Sequence, residues 1–369
     1  MAVLHSQRLS AAAAYDYNTG SRCAAAAAEN RVAQAAHRSH SLAMKTRDLA
    51  DLLLLAALWG ASFLFMRIAA PAFGPLALVE VRVVIAALFL GGLLALRGEL
   101  RALRAQPLQL AALGVLASAL PFVLLTYATL HVTAGYAAIL NATTPLWTAL
   151  VGCLWLRNAV APRQWLGMAI GLLGVAVLVW GKARFTPSAA ELGTTLALLA
   201  ALLATFAYGV AANFSRRHFA NTPPLVIAAG SQIAAAAVLL PPAALAWPPT
   251  PPPALAWASA IALGVACTGL AYLVFFRLLA RVGAVSASTV TFLIPVFATS
   301  WGALFLGEGV TAQMLAGGVV ILVGTGLSLG FGLRRAAAPA QRVASAPRRA
   351  PSIAHTDSPI ASSRSPHSV

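Results

Sequence analysis

The chain has 369 residues, of which 60% are hydrophobic and only 9% are charged, and its mean hydropathy is +0.82. This composition excludes an ordinary soluble domain, whereas a bilayer accommodates it because about 20 apolar residues form a helix that spans ~30 Å. The net charge of +16 comes almost wholly from arginines in short loops or tails without interleaved aromatic residues. That pattern argues against nucleic-acid binding and is typical of a membrane-topology signal.

The first segment, residues 1–43, differs from everything that follows. It is rich in alanine, with scattered serine, arginine and histidine, and has no sustained apolar run. Because it lacks the apolar core of a secretory signal, we expect a disordered extension, with a targeting or regulatory arm as the alternative. Met44 begins Met-Lys-Thr-Arg-Asp directly before the first apolar stretch, so we expect it to be the translation start.

Ten apolar stretches predict an all-α integral membrane protein with ten transmembrane helices. Prolines separate the stretches, among them Pro71, Pro75 and the run from Pro248 to Pro253. Residues 334–369, rich in proline, serine and arginine, predict a disordered basic tail. The predicted spans cover residues 50–69, 75–96, 107–130, 133–156, 162–181, 191–214, 223–246, 254–277, 284–306 and 311–333.

Basic residues segregate between the two sides that ten spans define. One side has only Arg67, Lys182 and Arg184. The positive-inside rule therefore predicts that both termini are cytoplasmic, in a bacterial inner membrane. The richer side carries Lys45 and Arg47, Arg97, Arg101 and Arg104, Arg157 and Arg163, Arg216 and Arg217, Arg277 and Arg281, and Arg334 and Arg335.

The second half of the chain repeats the first. Residues 114–174 align with 264–324 without a gap, so that four glycines and one proline coincide. Near the start of each half, Trp59-Gly60 aligns with Tyr208-Gly209. Because each unit has five spans, an odd number, units 44–181 and 182–333 would form inverted five-helix repeats, an arrangement that permits alternating access around a central site.

Several stretches resemble the EamA-like family of the drug/metabolite transporter superfamily. They include the run from Leu58 to Phe63 leading to Arg67, and Arg82 in the second span. Pro145 and Pro295 in spans four and nine, and Gly307-Glu308 followed by Gly317 and Gly324, complete the resemblance. It covers about residues 50–332 and implies a ten-helix inner-membrane carrier of small metabolites, often an exporter.

The chain departs from that family pattern at three positions. Asn158 stands where the family has an acidic residue after the fourth span, although the counterpart Glu308 is kept. Arg82 has no basic partner in the second half, where Ser231 stands, and Glu80 is foreign to the pattern. These departures concern substrate and coupling, not the fold.

Glu80 and Arg82 are the charged residues deepest within the predicted spans. A charge there costs ~2.5–3.5 kcal/mol on insertion scales, which makes each a candidate functional residue. They are two positions apart, so they cannot face each other on a helix. Arg82 could anchor an anionic or carboxylate group, or pair with backbone carbonyls; Glu80 could bind a proton or a cationic substrate, or reach water at the span end.

The remaining candidate site residues are aromatic or polar. Trp59 and Tyr208 occupy equivalent places in spans one and six, where they could wall a substrate cavity or pack between helices. Asn141 in span four and Thr291 in span nine belong to polar stripes that could line a path or join helices. Pro145 and Pro295 could kink their helices at equivalent places and act in gating, or serve packing alone.

These features favour a secondary transporter for amino acids, related metabolites or drugs, working by alternating access and in the efflux direction. A membrane-embedded enzyme or a sensor is the alternative, but we see no phosphate-binding loop and no cluster of acid, base or metal-ligand residues. We therefore expect no enzyme activity, no cofactor and no metal. A small-molecule substrate, the bilayer, protons as a candidate coupling ion, and a monomer or homodimer complete the expectation.

Overall fold

The computed structural model describes residues 46–157, 161–180 and 189–329. The terminal segments 1–43 and 334–369, with Met44, lie outside the described residues, as do Asn158, Lys182 and Arg184. The described residues form helices joined by turns and contain no strand, which confirms the all-α class.

Within the described residues we number nine helical elements in chain order. The first seven are long and apolar enough to cross a membrane, whereas the last two are apolar but have 17 residues each. A short 3₁₀ helix, Leu100–Arg104, follows the first element. The nine are α1 (Thr46–Leu96), α2 (Pro107–His131), α3 (Ala134–Leu156), α4 (Pro162–Val179), α5 (Ala189–His218), α6 (Pro224–Leu245), α7 (Ala254–Gly283), α8 (Val290–Leu306) and α9 (Ala312–Ser328).

Helix α1 contains the first two predicted spans. Its 51 residues are interrupted at Gly74, whose backbone is non-helical with φ 72° and ψ 164°. This region of conformational space is essentially restricted to glycine, and Pro75 follows directly. The break therefore falls between the two predicted spans, whereas Pro71, also expected to separate them, lies within the helix.

The ninth predicted span, 284–306, follows directly after a second backbone break. Gly283 is non-helical with φ 77° and ψ 170°, much like Gly74, and a short helical stretch to Ala287 precedes α8, which starts at Val290. A turn at Ser288 and Thr289 therefore divides the predicted span. Helix α3 is divided in a similar way by a turn at Ala142 and Thr143.

Equivalent positions of the two sequence repeats make equivalent contacts. A Cβ atom on Gly167 of α4 would lie 2.7 Å from the carbonyl oxygen of Gly324 in α9. A Cβ on Gly174 would lie 3.1 Å from the carbonyl oxygen of Gly317. Helices α4 and α9 are therefore antiparallel at their contact, and each supplies the same two glycines of the repeat.

Two more contacts follow the same rule. Gly60 of α1 packs against Phe297 of α8, with a Cβ position 2.7 Å from the Phe297 Cβ. Its repeat equivalent, Gly209 of α5, packs in the same way against Trp147 of α3 at 2.8 Å. Small residues allow such close approach of helices in a membrane, where packing replaces the hydrophobic effect as the main attraction between helices.

Each repeat also has a π-helical segment at the same place. Val115–Ala119 in α2 and Val265–Leu270 in α7 directly follow the equivalent glycines Gly114 and Gly264. Gly264 packs against the carbonyl oxygen of Arg82, with a Cβ position 3.0 Å away. Such π segments inside α-helices frequently occur at functional sites.

Candidate functional site

A cavity of about 380 Å³ lies between the two repeats. Most of its lining residues come in pairs from equivalent positions of the two halves, as the alignment of the repeats defines them. The cavity therefore lies where the two halves face each other. The pairs are Trp59 and Tyr208, Ser62 and Ala211, Phe63 and Ala212, Met66 and Ser215, Arg82 and Ser231, Ala117 and Cys267, Phe122 and Tyr272, Asn141 and Thr291, and Thr144 and Ile294.

Arg82 supplies the positive charge in this wall. It is only 5% exposed, and its Nε donates to the hydroxyl oxygen of Thr268 at 2.9 Å. The guanidinium carbon lies 3.7 Å from the centre of the Phe122 ring, and Nη1 lies 3.9 Å from the sulfur of Met66. The ion pairs found between described residues join other arginines to Asp48, Asp51 and Glu308, and none of them involves Arg82.

Thr268 is held by the π-helical segment of α7. Its hydroxyl donates to the carbonyl oxygen of Leu263, five residues earlier, at 2.7 Å. Because that hydrogen bond uses the hydroxyl hydrogen, the oxygen presents its lone pairs to Arg82. The π segment of α7 thus fixes the orientation of the guanidinium on α1.

Aromatic rings and polar groups complete the wall. The ring of Trp59 packs 5.4 Å from that of Phe275, and Tyr208, the repeat equivalent of Trp59, also lines the cavity. Thr144 and Thr291 line the wall beside Asn141. The Oδ1 atom of Asn141 is buried and has no hydrogen-bond partner among the described residues, so it is an available acceptor.

Five of the six predicted binding residues line this cavity: Trp59, Arg82, Asn141, Tyr208 and Thr291. Glu80 does not. It is 6% exposed, and its Oε2 is buried with no partner among the described residues. Glu80 is outside the wall because of helix geometry. Two positions along a helix turn a side chain by about 200°, so Glu80 points away when Arg82 faces the cavity.

The two predicted gating prolines lie beside the cavity rather than in its wall. Pro145 is in the first turn of the helical segment that restarts at Thr144, where a missing N–H has little cost. Pro295 lies inside α8 and is buried. Their chain neighbours Thr144 and Ile294 are lining residues.

Sequence reasoning missed several residues of the wall. Met66, Phe122, Thr268 and Tyr272 surround Arg82, yet none was singled out as a candidate. Phe122 and Tyr272 are equivalent positions of the aligned repeats. An aromatic residue at both equivalent places was therefore a signal available in the sequence.

Two ion-pair clusters lie at opposite ends of the first part of α1. Arg277 donates to both carboxylate oxygens of Asp51, at 2.9 and 2.5 Å, and Arg281 joins Asp51 at 3.1 Å. At the other end, the Nε atom of Arg67 lies 3.3 Å from Glu308. Both clusters join α1 to elements of the second repeat.

Metal ligands do not cluster in the part of the chain that the structure describes. No group of three or more histidine, cysteine, aspartate or glutamate side chains could hold an ion there. Cys153 and Cys267 are free thiols, and Cys267 is a small buried residue of the cavity wall.

Comparison with known proteins agrees with this architecture. Residues 50–180 and 195–330 each match the profile of the EamA-like transporter family. A "Probable terminal-alkyne amino-acid exporter" of Streptantibioticus cattleyicolor is 28% identical over 284 residues, which cover 74% of this chain and 90% of that protein. The uncharacterized transporter YdfC of Bacillus subtilis is 28% identical over 215 residues, covering 58% of this chain and 68% of that protein.

A solved structure titled only "Crystal structure of protein" has the same fold. Its TM-score is 0.56 at 20% sequence identity, and the match covers 77% of this chain and 98% of that one. The helices, the cavity between repeats and these relatives together define a multi-pass membrane transport protein. The chain belongs to the EamA-like transporter family, with one family unit in each half.

Proposed function

We propose that this protein is a secondary transporter that moves amino acids or related small metabolites across the inner membrane by alternating access. The observation that carries the proposal is the pairing of cavity residues across the two repeats. A site built from equivalent positions of both halves lies on their common axis, where rocking of one half against the other would expose it to each side in turn.

The proposed architecture is ten crossings in two inverted halves of five. The break at Gly74 supports a division of α1 into two crossings, and α8 and α9 supply the shorter last two. The antiparallel contact of α4 with α9 supports inversion, because these helices are equivalent in the repeats and run in opposite directions. Basic loops favour cytoplasmic termini.

The proposed substrate site consists of Trp59, Arg82, Asn141, Tyr208 and Thr291. Export is the proposed direction, since one relative is named as an amino-acid exporter. Glu80 is outside the cavity wall and stays a candidate for binding a coupling proton. The family and the relatives' names point to transport, not to catalysis, which was the alternative.

A counterflow assay in proteoliposomes tests this function. Vesicles containing the purified protein are loaded in turn with amino acids, purine-related metabolites and organic cations, and uptake of the labelled compound is measured. We expect exchange of at least one amino acid or related metabolite. Loss of exchange is expected in Ala212→Trp, which fills the cavity, but not in the control Leu88→Trp, whose site is 71% exposed on the outer surface.

Two results would contradict the proposal. One is wild-type protein that folds and inserts but exchanges none of the compounds. The other is chemical turnover of a compound by protein in detergent, without any membrane, which would favour the membrane-embedded enzyme.

A further inference from the structure

We propose that the cavity holds its substrate by a single carboxylate, bound at the terminal edge of Arg82, and that Thr268 is the positioning residue that keeps this edge available. The proposal rests on the proposed transport function and names the chemistry of its site. It also assigns a role to a residue that sequence reasoning missed.

The first step is the coordination of the guanidinium. An arginine side chain has five N–H donors in a planar fork. The Nε edge is taken by Thr268, and Phe122 lies against the guanidinium carbon at 3.7 Å. Nη1 meets the thioether of Met66, a weak acceptor, at 3.9 Å, and no described residue accepts from Nη2. The edge formed by the two terminal nitrogens is therefore the free one, and it matches the two oxygens of a carboxylate.

The second step is the charge of the surroundings. No acidic residue lines the cavity in the described part of the chain, and Glu80 faces away. The repeat equivalent of Arg82 is Ser231, so the positive charge is on one side only. A buried guanidinium without a counter-ion is costly, and a bound anion would offset that cost.

The third step is the choice of anion. One guanidinium balances one carboxylate, whereas a phosphate monoester carries about −1.5 to −2 at neutral pH and would leave excess negative charge in an apolar cavity. The aromatic rings of Trp59, Tyr208 and Tyr272 provide a wall for an apolar or aromatic group attached to the carboxylate. The free Oδ1 of Asn141 adds an acceptor for an N–H or O–H group of the substrate.

The last step concerns Thr268. Its hydroxyl hydrogen is committed to Leu263, so it cannot donate to the substrate and can only accept from Nε. Removing the hydroxyl would release the Nε edge and let the guanidinium rotate about its stem. Thr268 thus acts on the substrate through Arg82.

Binding of benzoate to the purified full-length protein in detergent tests the proposal. Benzamide is the neutral control of the same shape, and phenyl phosphate tests the alternative anion, all at constant ionic strength set with chloride. Each is titrated by isothermal calorimetry and by the shift in thermal unfolding. We expect saturable binding of benzoate at least about tenfold tighter than that of benzamide or phenyl phosphate, because a hydrogen-bonded charge pair is worth that much.

Variants separate positioning from structure. Thr268→Val, of nearly the same volume, is expected to weaken benzoate binding about tenfold and to leave benzamide binding unchanged. Thr268→Ser keeps the hydroxyl and is expected to restore most of the affinity. Arg82→Lys keeps the charge without the fork and is expected to bind benzoate about tenfold more weakly. Thr325→Val is the matched control, because the Thr325 hydroxyl donates to Ala142, outside the cavity wall.

Equal affinities for benzoate and benzamide, including no binding of either, would overturn the proposal. So would wild-type affinity in Thr268→Val, or an equal loss in Thr325→Val. Tighter binding of phenyl phosphate would replace carboxylate by phosphate. Benzoate binding in a protein that exchanges nothing across vesicles would leave the subsite intact and overturn only the transport function, so the two failures are distinguishable.

Discussion

Glu308 joins three elements at one end of the bundle. Its Oε2 accepts the backbone N–H of Ala134 at 2.9 Å, at the start of α3. Its Oε1 lies 3.3 Å from Nε of Arg67, close enough for an ion pair but without the alignment of a hydrogen bond. Arg67 also donates to the carbonyl oxygen of Thr129 at 2.5 Å. The carboxylate therefore acts mainly as a cap and only secondarily as an ion-pair partner.

Substitutions at Glu308 should separate these two contributions. Glu308→Ala removes the acceptor of Ala134 and the ion pair, so we expect a loss of about 1–2 kcal/mol in the free energy of unfolding. Glu308→Gln keeps an oxygen for Ala134, and a partly exposed ion pair is worth only about 0–1 kcal/mol, so its loss should be smaller. Thermal unfolding in detergent measures both. Equal losses in the two variants would show that charge, not capping, is the main contribution.

At this scale the sequence predicts residue types better than their partners. Repeat alignment was enough to select Trp59 and Tyr208, two aromatic residues at equivalent positions, and a charge inside a predicted span was enough to select Arg82. Thr268 could not be selected, since its contact with Arg82 joins residues 186 positions apart and depends on a π-helical segment. Glu80 was a reasonable candidate as a buried charge, but only the rotation of α1 decides which side it faces.

Helices α4 and α9 show how single glycines determine a helix contact. A Cβ atom on Gly324 would lie 2.7 Å from the carbonyl oxygen of Gly167, and Gly171 is also in contact. Gly326, two positions further, has its nearest neighbour, Phe292, at 3.9 Å. The sequence also has a Gly-x-x-x-Gly pattern at Gly326 and Gly330, but a Cβ on Gly326 would make only ordinary van der Waals contact, and Gly330 is outside the described residues.

Alanine at these two positions makes a matched comparison. Gly324→Ala is expected to push α9 from α4 and to lower the free energy of unfolding by about 1–3 kcal/mol, the usual cost of overpacking. Gly326→Ala should be neutral or slightly stabilising, because alanine is favoured over glycine in a helix by about 0.5–1 kcal/mol. Thermal unfolding measures the difference. A Gly324→Ala protein as stable as Gly326→Ala would mean that the helices do not touch there.

The helix boundaries show which local signals predict a break. Proline alone was a poor guide, since Pro71 lies within α1. Glycine at the edge of a predicted span was a better one, because Gly74 and Gly283 both adopt a positive φ where the helix is interrupted. The turn at Ser288 and Thr289 contains neither glycine nor proline. It lies inside an apolar stretch, so hydropathy could not predict it.

The whole molecule has two distinct ends. The helix between Asp51 and Arg67 separates their ion pairs by about 24 Å, from a rise of 1.5 Å per residue. At the Asp51 end, Leu103 packs in the same cluster as Phe276, next to Arg277. Arg217 lies over the ring of Trp155 at 5.9 Å, close to the end of α3. Leu103 also packs against the cluster that contains Phe219, so these arginine-bearing segments meet at one end of the bundle.

This grouping makes the orientation testable. In a protein whose three cysteines are replaced by alanine, single cysteines are introduced as Arg101→Cys, at the Asp51 end, and Gly309→Cys, beside Glu308 at the other end. Both positions are exposed. The Asp51 end is the richer in basic residues, so it is expected to face the cytoplasm. Gly309→Cys, at the opposite end, should therefore react with a membrane-impermeant maleimide in spheroplasts. Arg101→Cys should react only after the membrane is made permeable. The reverse pattern would invert the molecule, and labelling of both cysteines from outside would contradict a membrane-spanning arrangement between these ends.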